Sequence, residues 1–184
     1  YIEEHQYNFD SVFDENSTNE NIYLDLVRPM VEAAFETKAK ITCFAYGQTG
    51  SGKTFTMMGP GNNKDMSTPG LYLLCSYDLM SFLEREEYCH LELCVSFYEI
   101  YCNKLYDLLN ERNILYPRED GKQNICIVGL HERNVSSLKD MMNLIDFGLK
   151  TRTTGITGAN MDSSRSHAVL QIQLKEKTTG ITSG

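Results

Sequence analysis

Ile22, Tyr23, Leu26, Val27, Met30, Val31, Ala34 and Phe35 return every three or four positions, which predicts an amphipathic helix running to about Glu36. Ser17-Thr18-Asn19-Glu20 marks its start, with Ser17 as the N-cap and Glu20 three residues later completing a capping box. Pro29 lies inside the run and predicts a kink or a shortened helix. Upstream, Tyr7-Asn8-Phe9-Asp10 and Val12-Phe13 alternate like a short strand that ends in an Asp-Glu turn. Ile41 to Tyr46 is a compact apolar run ending at Gly47, the pattern of a buried central strand. The Gly, Pro and Asn residues between Gly59 and Pro69 predict a loop. Helical spacing resumes from Gly70 to Glu86, with Leu71, Leu74, Cys75, Leu79, Phe82 and Leu83 as the buried stripe. Leu91 to Tyr101 alternates as a long strand, Leu105 to Leu109 reads as a helical turn, and Ile125 to Leu130 as another strand. Ser137 to Arg152 is helical, and Ala168 to Leu174 is the last strand. Strands interleaved with helices predict a single α/β domain over residues 1–184, built on a central, mostly parallel sheet with helices on both faces.

Composition narrows this picture. Apolar residues make up 41% and charged residues 23%, as in a globular domain. No apolar run approaches the roughly 18–20 residues that cross a bilayer, so no membrane association is expected. Tyr1-Ile2-Glu3-Glu4-His5 is acidic and has no apolar core, so it does not read as a secretory signal. A net charge of −8 argues against a nucleic-acid partner, and an acidic protein partner would need a local basic patch. The six cysteines (Cys43, Cys75, Cys89, Cys94, Cys102, Cys126) show no C-x-x-C spacing and are expected to be reduced core residues. The four histidines are scattered, and no structural metal is expected.

The most specific chemistry lies at Gly47-Gln48-Thr49-Gly50-Ser51-Gly52-Lys53-Thr54, which fits G-x-x-x-x-G-K-[ST]. Its glycines allow a tight wrap that aims backbone N–H groups at phosphate oxygens, and the helix expected to begin behind it adds positive partial charge. Lys53 would reach the β- and γ-phosphates, and the Thr54 hydroxyl would ligate Mg²⁺. No N-K-x-D element reads a guanine, which favours ATP. Further on, Asn160-Met161-Asp162-Ser163-Ser164-Arg165-Ser166-His167 crowds hydroxyls, a guanidinium and an imidazole after a Gly-rich stretch. Beside a phosphate loop, such a run suits a segment that senses a γ-phosphate.

These stretches resemble the kinesin motor family. Phe44-Ala45-Tyr46 through Thr54 is similar to its phosphate loop, Phe9-Asp10 through Val12-Phe13-Asp14 to its early FD-x-VFD turn, and Phe97 to Tyr101 with Leu105 to Leu109 to its FxEIYNExxxDLL segment. N-x-x-S-S-R-S-H, met here at Asn160 to His167, is its switch I. The resemblance implies a P-loop NTPase fold and an ATPase that takes ATP and Mg²⁺ and is stimulated by tubulin or microtubules. It also implies that Ser163 and Ser164 contact the γ-phosphate, the Mg²⁺ shell or the attacking water, with Ser164 on the metal side. Arg165 would pair with a switch II glutamate, Asn160 would help close the loop, Phe55 would stack on adenine, and His167 would be structural.

Thr42-Cys43-Phe44, Gly70-Leu71-Tyr72, Glu119 to Lys122, Val128 to Glu132 and Arg152 to Gly155 resemble the internal-motor class, kinesin-13, which depolymerises microtubules. A walking kinesin and a non-hydrolysing tubulin-binding module are the other readings, and a P-loop ATPase of another kind fits the switch I run poorly. By family position Arg118, Lys122, His131 and Arg133 would face the filament, on cytoplasmic microtubules or the spindle, in an oligomeric state left open. The family's first strand, its loop tip for curved tubulin, its D-x-x-G-x-E switch II and its main microtubule helix are not found in this sequence. The chain is therefore expected to be the central piece of a longer protein and a poor ATPase by itself.

Overall fold

The computed structural model describes residues 3–60, 68–154 and 166–183. Its α-helices are α1 (Asn19–Ile22), α2 (Arg28–Thr37), α3 (Lys53–Met58), α4 (Leu71–Leu83) and α5 (Leu138–Thr154). Its strands are β1 (Leu91–Tyr101), β2 (Lys104–Asp107), β3 (Ile114–Glu119), β4 (Ile125–Val128), β5 (Arg133–Val135) and β6 (Ser166–Glu176).

The first helical stretch starts one residue later than the pattern suggested. Thr18 is the N-cap: its hydroxyl accepts from the Asn21 backbone N–H at 3.2 Å, and Asn21 Oδ1 accepts from the Thr18 N–H at 2.9 Å. The capping box thus uses Asn21 and not Glu20. Ser17 is taken up by Asp14, whose Oδ1 accepts from the Ser17 hydroxyl at 2.9 Å and the Asn16 N–H at 3.0 Å. Between α1 and α2 the chain widens into a π-helical turn, Tyr23–Val27, which ends two residues before Pro29. Proline has no N–H to continue the α-helical ladder, and the wider turn absorbs that gap without breaking the helix. Helix α2 then runs on to Thr37 and stops at Lys38, which has φ 57°.

The predicted stripes meet in one core. Val31 and Phe35 of α2, Leu79 and Phe82 of α4, and Met141 and Ile145 of α5 pack with Leu91, Leu93 and Val95 of β1. The Phe35 and Phe82 rings stack with centroids 4.9 Å apart. Burying each such side chain contributes about 1.5–3 kcal/mol. Phe97 continues the same face of β1 with Leu108 and Leu109, and Gly148 lets α5 lie directly on it, since a Cβ there would sit 2.3 Å from the Phe97 ring.

The sheet overturns the expected mostly parallel arrangement. Every pairing among the described residues is antiparallel: β1 with β2 and β5, β1 with β6 over its whole length, β2 with β3, and β3 with β4. The cause is local. Cys102 (φ 48°) and Asn103 (φ 61°) form a two-residue turn closed by the Tyr101–Lys104 pair, so the chain doubles back as a hairpin with no crossover helix. Leu105 to Leu109 accordingly begins as strand β2, not as a helical turn. The apolar clusters seat the helices against one face of β1 and β6, and the second helical layer is not seen among the described residues.

Two predicted strands are also corrected. Residues 41–46 have no regular structure, with Ile41 39%, Phe44 76% and Tyr46 93% exposed. The stretch from Tyr7 to Phe13 is likewise irregular, with Tyr7 73% and Val12 80% exposed. A strand exists only with a partner for its N–H and C=O groups, and no described strand pairs with either. Of the cysteines expected in the core, Cys94 is buried and Cys75 half-buried, while Cys43, Cys89, Cys102 and Cys126 are exposed. Cys102 is in the hairpin turn and Cys126 on the outer strand β4, which explains their exposure. No helix among the described residues is long and apolar enough to cross a membrane.

Candidate functional site

The loop from Gly47 to Gly52 needs glycine where the sequence has it. Gly50 has φ 84° and Gly52 has φ 89°, both in the left-handed region. At Gly47 (φ 155°), a Cβ would fall 2.5 Å from the Ser51 hydroxyl oxygen and 3.2 Å from its Cβ. The Ser51 N–H donates to the Gln48 carbonyl at 3.2 Å, which folds the loop over itself. Helix α3 starts at once behind it, its first turn closed by the Thr56 N–H on the Gly52 carbonyl at 2.9 Å. The Lys53 ammonium arches back and donates to the Gly47 and Gln48 carbonyls, 2.7 Å each. Thr54 is exposed on the first turn of α3, and Phe55 next to it is 46% exposed. Gly47, Gln48, Thr49, Gly50, Ser51, Gly52, Lys53, Thr54 and Phe55 therefore share one short structural unit. Asn160, Ser163, Ser164 and Arg165 lie outside the described residues. His167 is exposed near the start of β6, opposite Ile100.

Helix α3 buries none of its own six residues deeply, so other groups hold it. Gly70, the N-cap of α4, presses on its C-terminal end so closely that a Cβ there would lie 2.3 Å from the Met58 carbonyl carbon. Asn19 at the start of α1 is buried, and its amide donates to the carbonyls of Phe55 and Pro69 at 3.1 Å each. Sequence reasoning took Asn19 for part of a helix cap and missed this role. Its pattern gave no direct signal, because an asparagine beside a capping threonine is ordinary.

Behind the loop runs an apolar cleft, lined among others by Val31, Cys43, Met57, Leu71, Leu79 and Ile172, with no charged side chain in its walls among the described residues. It is a gap in the apolar layer and offers nothing to a phosphate. Burial there pushes the Cys75 thiol up to about 12. It also raises the Tyr72 hydroxyl, against which Arg152 at the end of α5 works in the opposite direction.

A second polar cluster lies on the helix-facing side of β1. Glu99 is fully buried: Oε2 accepts from Arg112 Nη2 at 2.5 Å, and Oε1 accepts from the Ser166 hydroxyl at 2.5 Å and from Arg152 Nε at 3.3 Å. The strand's odd positions read Leu91, Leu93, Val95, Phe97, Glu99, so a carboxylate in the apolar phase was the available signal, and it was missed. Arg118, Lys122, His131 and Arg133 are all exposed along the β3–β4–β5 arm. His131 is tethered there by its backbone N–H, which donates to the buried Asp107 carboxylate at 2.8 Å.

Comparison with known proteins accounts for this arrangement. The sequence profile described as "Kinesin motor domain" matches residues 1–183. The human kinesin-like protein KIF24 is 49% identical over 177 residues, which is 96% of this chain and 12% of that protein. Kinesin-like protein KIN-13B of Arabidopsis thaliana is 48% identical over 181 residues, 98% of this chain and 25% of that protein. The chain thus spans a quarter or less of the length of these relatives. A solved fast kinesin superposes with a TM-score of 0.81 at 30% identity, over 96% of this chain and 50% of its own. Kinesin motor domains carry the P-loop NTPase fold and bind nucleotide. The chain belongs to the kinesin motor domain family.

Proposed function

We propose that this chain is the central, single-domain portion of a motor ATPase that hydrolyses ATP and uses it to remove tubulin from microtubule ends. The observation that carries the ATPase reading is the loop at Gly47 to Thr54, where positive-φ glycines and the Lys53 ammonium converge on one short turn. In this reading Lys53 exchanges its two carbonyl partners for phosphate oxygens. Those carbonyls are neutral dipoles, and a charged acceptor forms the stronger bond. The backbone N–H groups of the loop hold the phosphates in place, and Phe55, half exposed on the first turn of α3, is assigned to the base on the strength of its motif position. The Thr54 hydroxyl is an exposed oxygen donor one residue from that ammonium, and oxygen donors suit a hard divalent cation, so the residues fit a magnesium nucleotide. Bound Mg²⁺ supplies neutralisation of the charge that develops between the β- and γ-phosphates. Ser163, Ser164 and Arg165 are assigned to the γ-phosphate side, with Asn160 helping to close the loop, on the strength of their motif.

The depolymerising reading rests on the class-specific stretches around Cys43, Lys122 and His131 and on a relative designated KIN-13B. Arg118, Lys122, His131 and Arg133, exposed together on the β3–β4–β5 arm, are proposed to meet the acidic filament. The test is phosphate release by the complete protein, with and without microtubules, while polymer mass is followed. Stimulated release with falling polymer mass is expected. Stimulated release with stable polymer would assign a walking kinesin, and no release would refute the enzyme.

A further inference from the structure

Glu99 holds the two chain ends between which Asn160, Ser163, Ser164 and Arg165 lie. On one side is Arg152 in the last turn of α5, and on the other is Ser166, the first residue of β6. Besides their separate bonds to Glu99 Oε1, they bond each other: Arg152 Nη2 donates to the Ser166 hydroxyl at 2.9 Å and to its carbonyl at 3.4 Å, and Arg152 Nε to the hydroxyl at 3.2 Å. Arg112, from the turn between β2 and β3, grips the other carboxylate oxygen at 2.5 Å. One carboxylate therefore ties a helix end to a strand start 14 positions away.

Stability is a poor reason for such a cluster. Desolvating a carboxylate and two guanidiniums costs as much as their attraction returns, and apolar residues of the same volume commonly serve the core as well or better. What a buried, multiply bonded carboxylate does provide is a fixed geometry, because every bond has a preferred length and direction. Here that geometry is the spacing and orientation of Arg152 and Ser166. Among the described residues the side-chain bonds of Glu99 go to Arg112, Arg152 and Ser166 and none to the Gly47 to Thr54 loop, so its effect on turnover passes through these partners.

The geometry points to Glu99, with Arg152 and Ser166, as a set of positioning residues for phosphoryl transfer, which fix the two chain positions that bracket Asn160, Ser163, Ser164 and Arg165 in the sequence. This rests on the ATPase reading above. Phosphoryl transfer depends on alignment, and a displacement of an ångström far from the reacting atoms lowers turnover by up to about 100-fold. Nucleotide affinity, in contrast, is set mainly at the Gly47 to Thr54 loop, which the cluster does not touch.

The experiment uses the complete protein with Ser166→Ala, Ser166→Thr, Arg152→Lys and Glu99→Gln, and reads ATP turnover, the KM for ATP, affinity for fluorescent ADP and thermal melting. Ser166→Ala and Arg152→Lys are expected to lower kcat by about 10-fold or more, with ADP affinity within about 2-fold of the parent. Ser166→Thr, which keeps the hydroxyl, should recover most of the loss. If Glu99→Gln fails to fold, the Ser166 pair still decides. Turnover within 2-fold of the parent in both Ser166→Ala and Arg152→Lys would overturn the inference while leaving the ATPase reading intact. So would ADP affinity falling in step with kcat, which marks general loosening. A parent protein that neither binds ADP nor releases phosphate would overturn the ATPase reading itself, and this inference with it.

Discussion

Gly70→Ala isolates a single steric contact between the core and the phosphate loop. Gly70 has φ −85° and ψ 168°, backbone angles that alanine adopts without strain, so conformation does not forbid the change. Space does. The new Cβ would lie 2.3 Å from the Met58 carbonyl carbon, 2.4 Å from the Gly59 nitrogen and 2.6 Å from the Met58 Cα. All three are main-chain atoms at the end of α3, so no rotamer change relieves them. To bring these contacts to 3.4 Å, the start of ordinary van der Waals distance, α3 and α4 must separate by about an ångström. Overpacking of this kind costs about 1–3 kcal/mol. For a domain of this size each kcal/mol corresponds to roughly 2–4 °C, so the melting temperature should fall by about 2–12 °C. Because α3 begins at Lys53, the same shift should weaken ADP binding. The matched control is Gly121→Ala, where nothing lies within 4 Å of the added Cβ, and its stability should stay within about 0.5 kcal/mol of the parent. Circular-dichroism melts of the two variants of the complete protein, with a fluorescent ADP titration, make the comparison. If Gly70→Ala melts within about 1 °C of Gly121→Ala, the close approach of α3 to α4 is not as described.

Lys53→Ala removes the only charged side chain of the Gly47 to Thr54 loop and should lower phosphate release by about 10²–10³-fold; release within 3-fold of the parent would discard its role. Asn19→Ala strips the amide from two carbonyls at once and should destabilise by about 1–3 kcal/mol in a urea melt, with no gain from Asn19→Asp, which offers those carbonyls no donor when ionised. Asp120 is held below its usual 3.8 by the Asn124 side chain, then by the Asn124 and Lys122 backbone N–H groups. Its contribution to stability is therefore present above 3.8 and lost as pH falls through its lowered folded value. Asn124→Ala should move its titration midpoint, followed by carboxyl NMR, back toward 3.8.

Residues whose neighbours lie close in sequence were legible. The stripe from Leu71 to Phe82 and the alternation from Leu91 to Tyr101 gave α4 and β1 to within a few residues, because helix and strand periods are local properties. The tight turn at Gly47 to Gly52 was legible for the same reason: the backbone demands of Gly50 and Gly52 are written in adjacent letters. The arm from β2 to β5 was less so. Leu105, Tyr106, Leu108 and Leu109 fit a helical turn as well as a strand over so short a window, and the deciding event, a turn at Cys102 and Asn103, carries no glycine. Ile41 to Tyr46 has every local mark of a buried strand, yet burial depends on pairing partners that a local pattern cannot name. Glu99 escaped for the converse reason: its partners Arg112, Arg152 and Ser166 are remote in sequence and meet only after folding.

The ladder between β1 and β6 sets a schedule for folding during synthesis. Glu99 and Ser166 are 67 positions apart, so at roughly 5–20 residues per second the partner of β1 follows it by about 3–13 s. The hairpin with β2 needs only the two residues of its turn and can close within microseconds. Through that interval one edge of β1 is an open template, with the apolar side chains of Leu93, Val95 and Phe97 beside it. Nascent chains stalled between β5 and β6 should therefore be the species most prone to aggregate and most in need of chaperone cover.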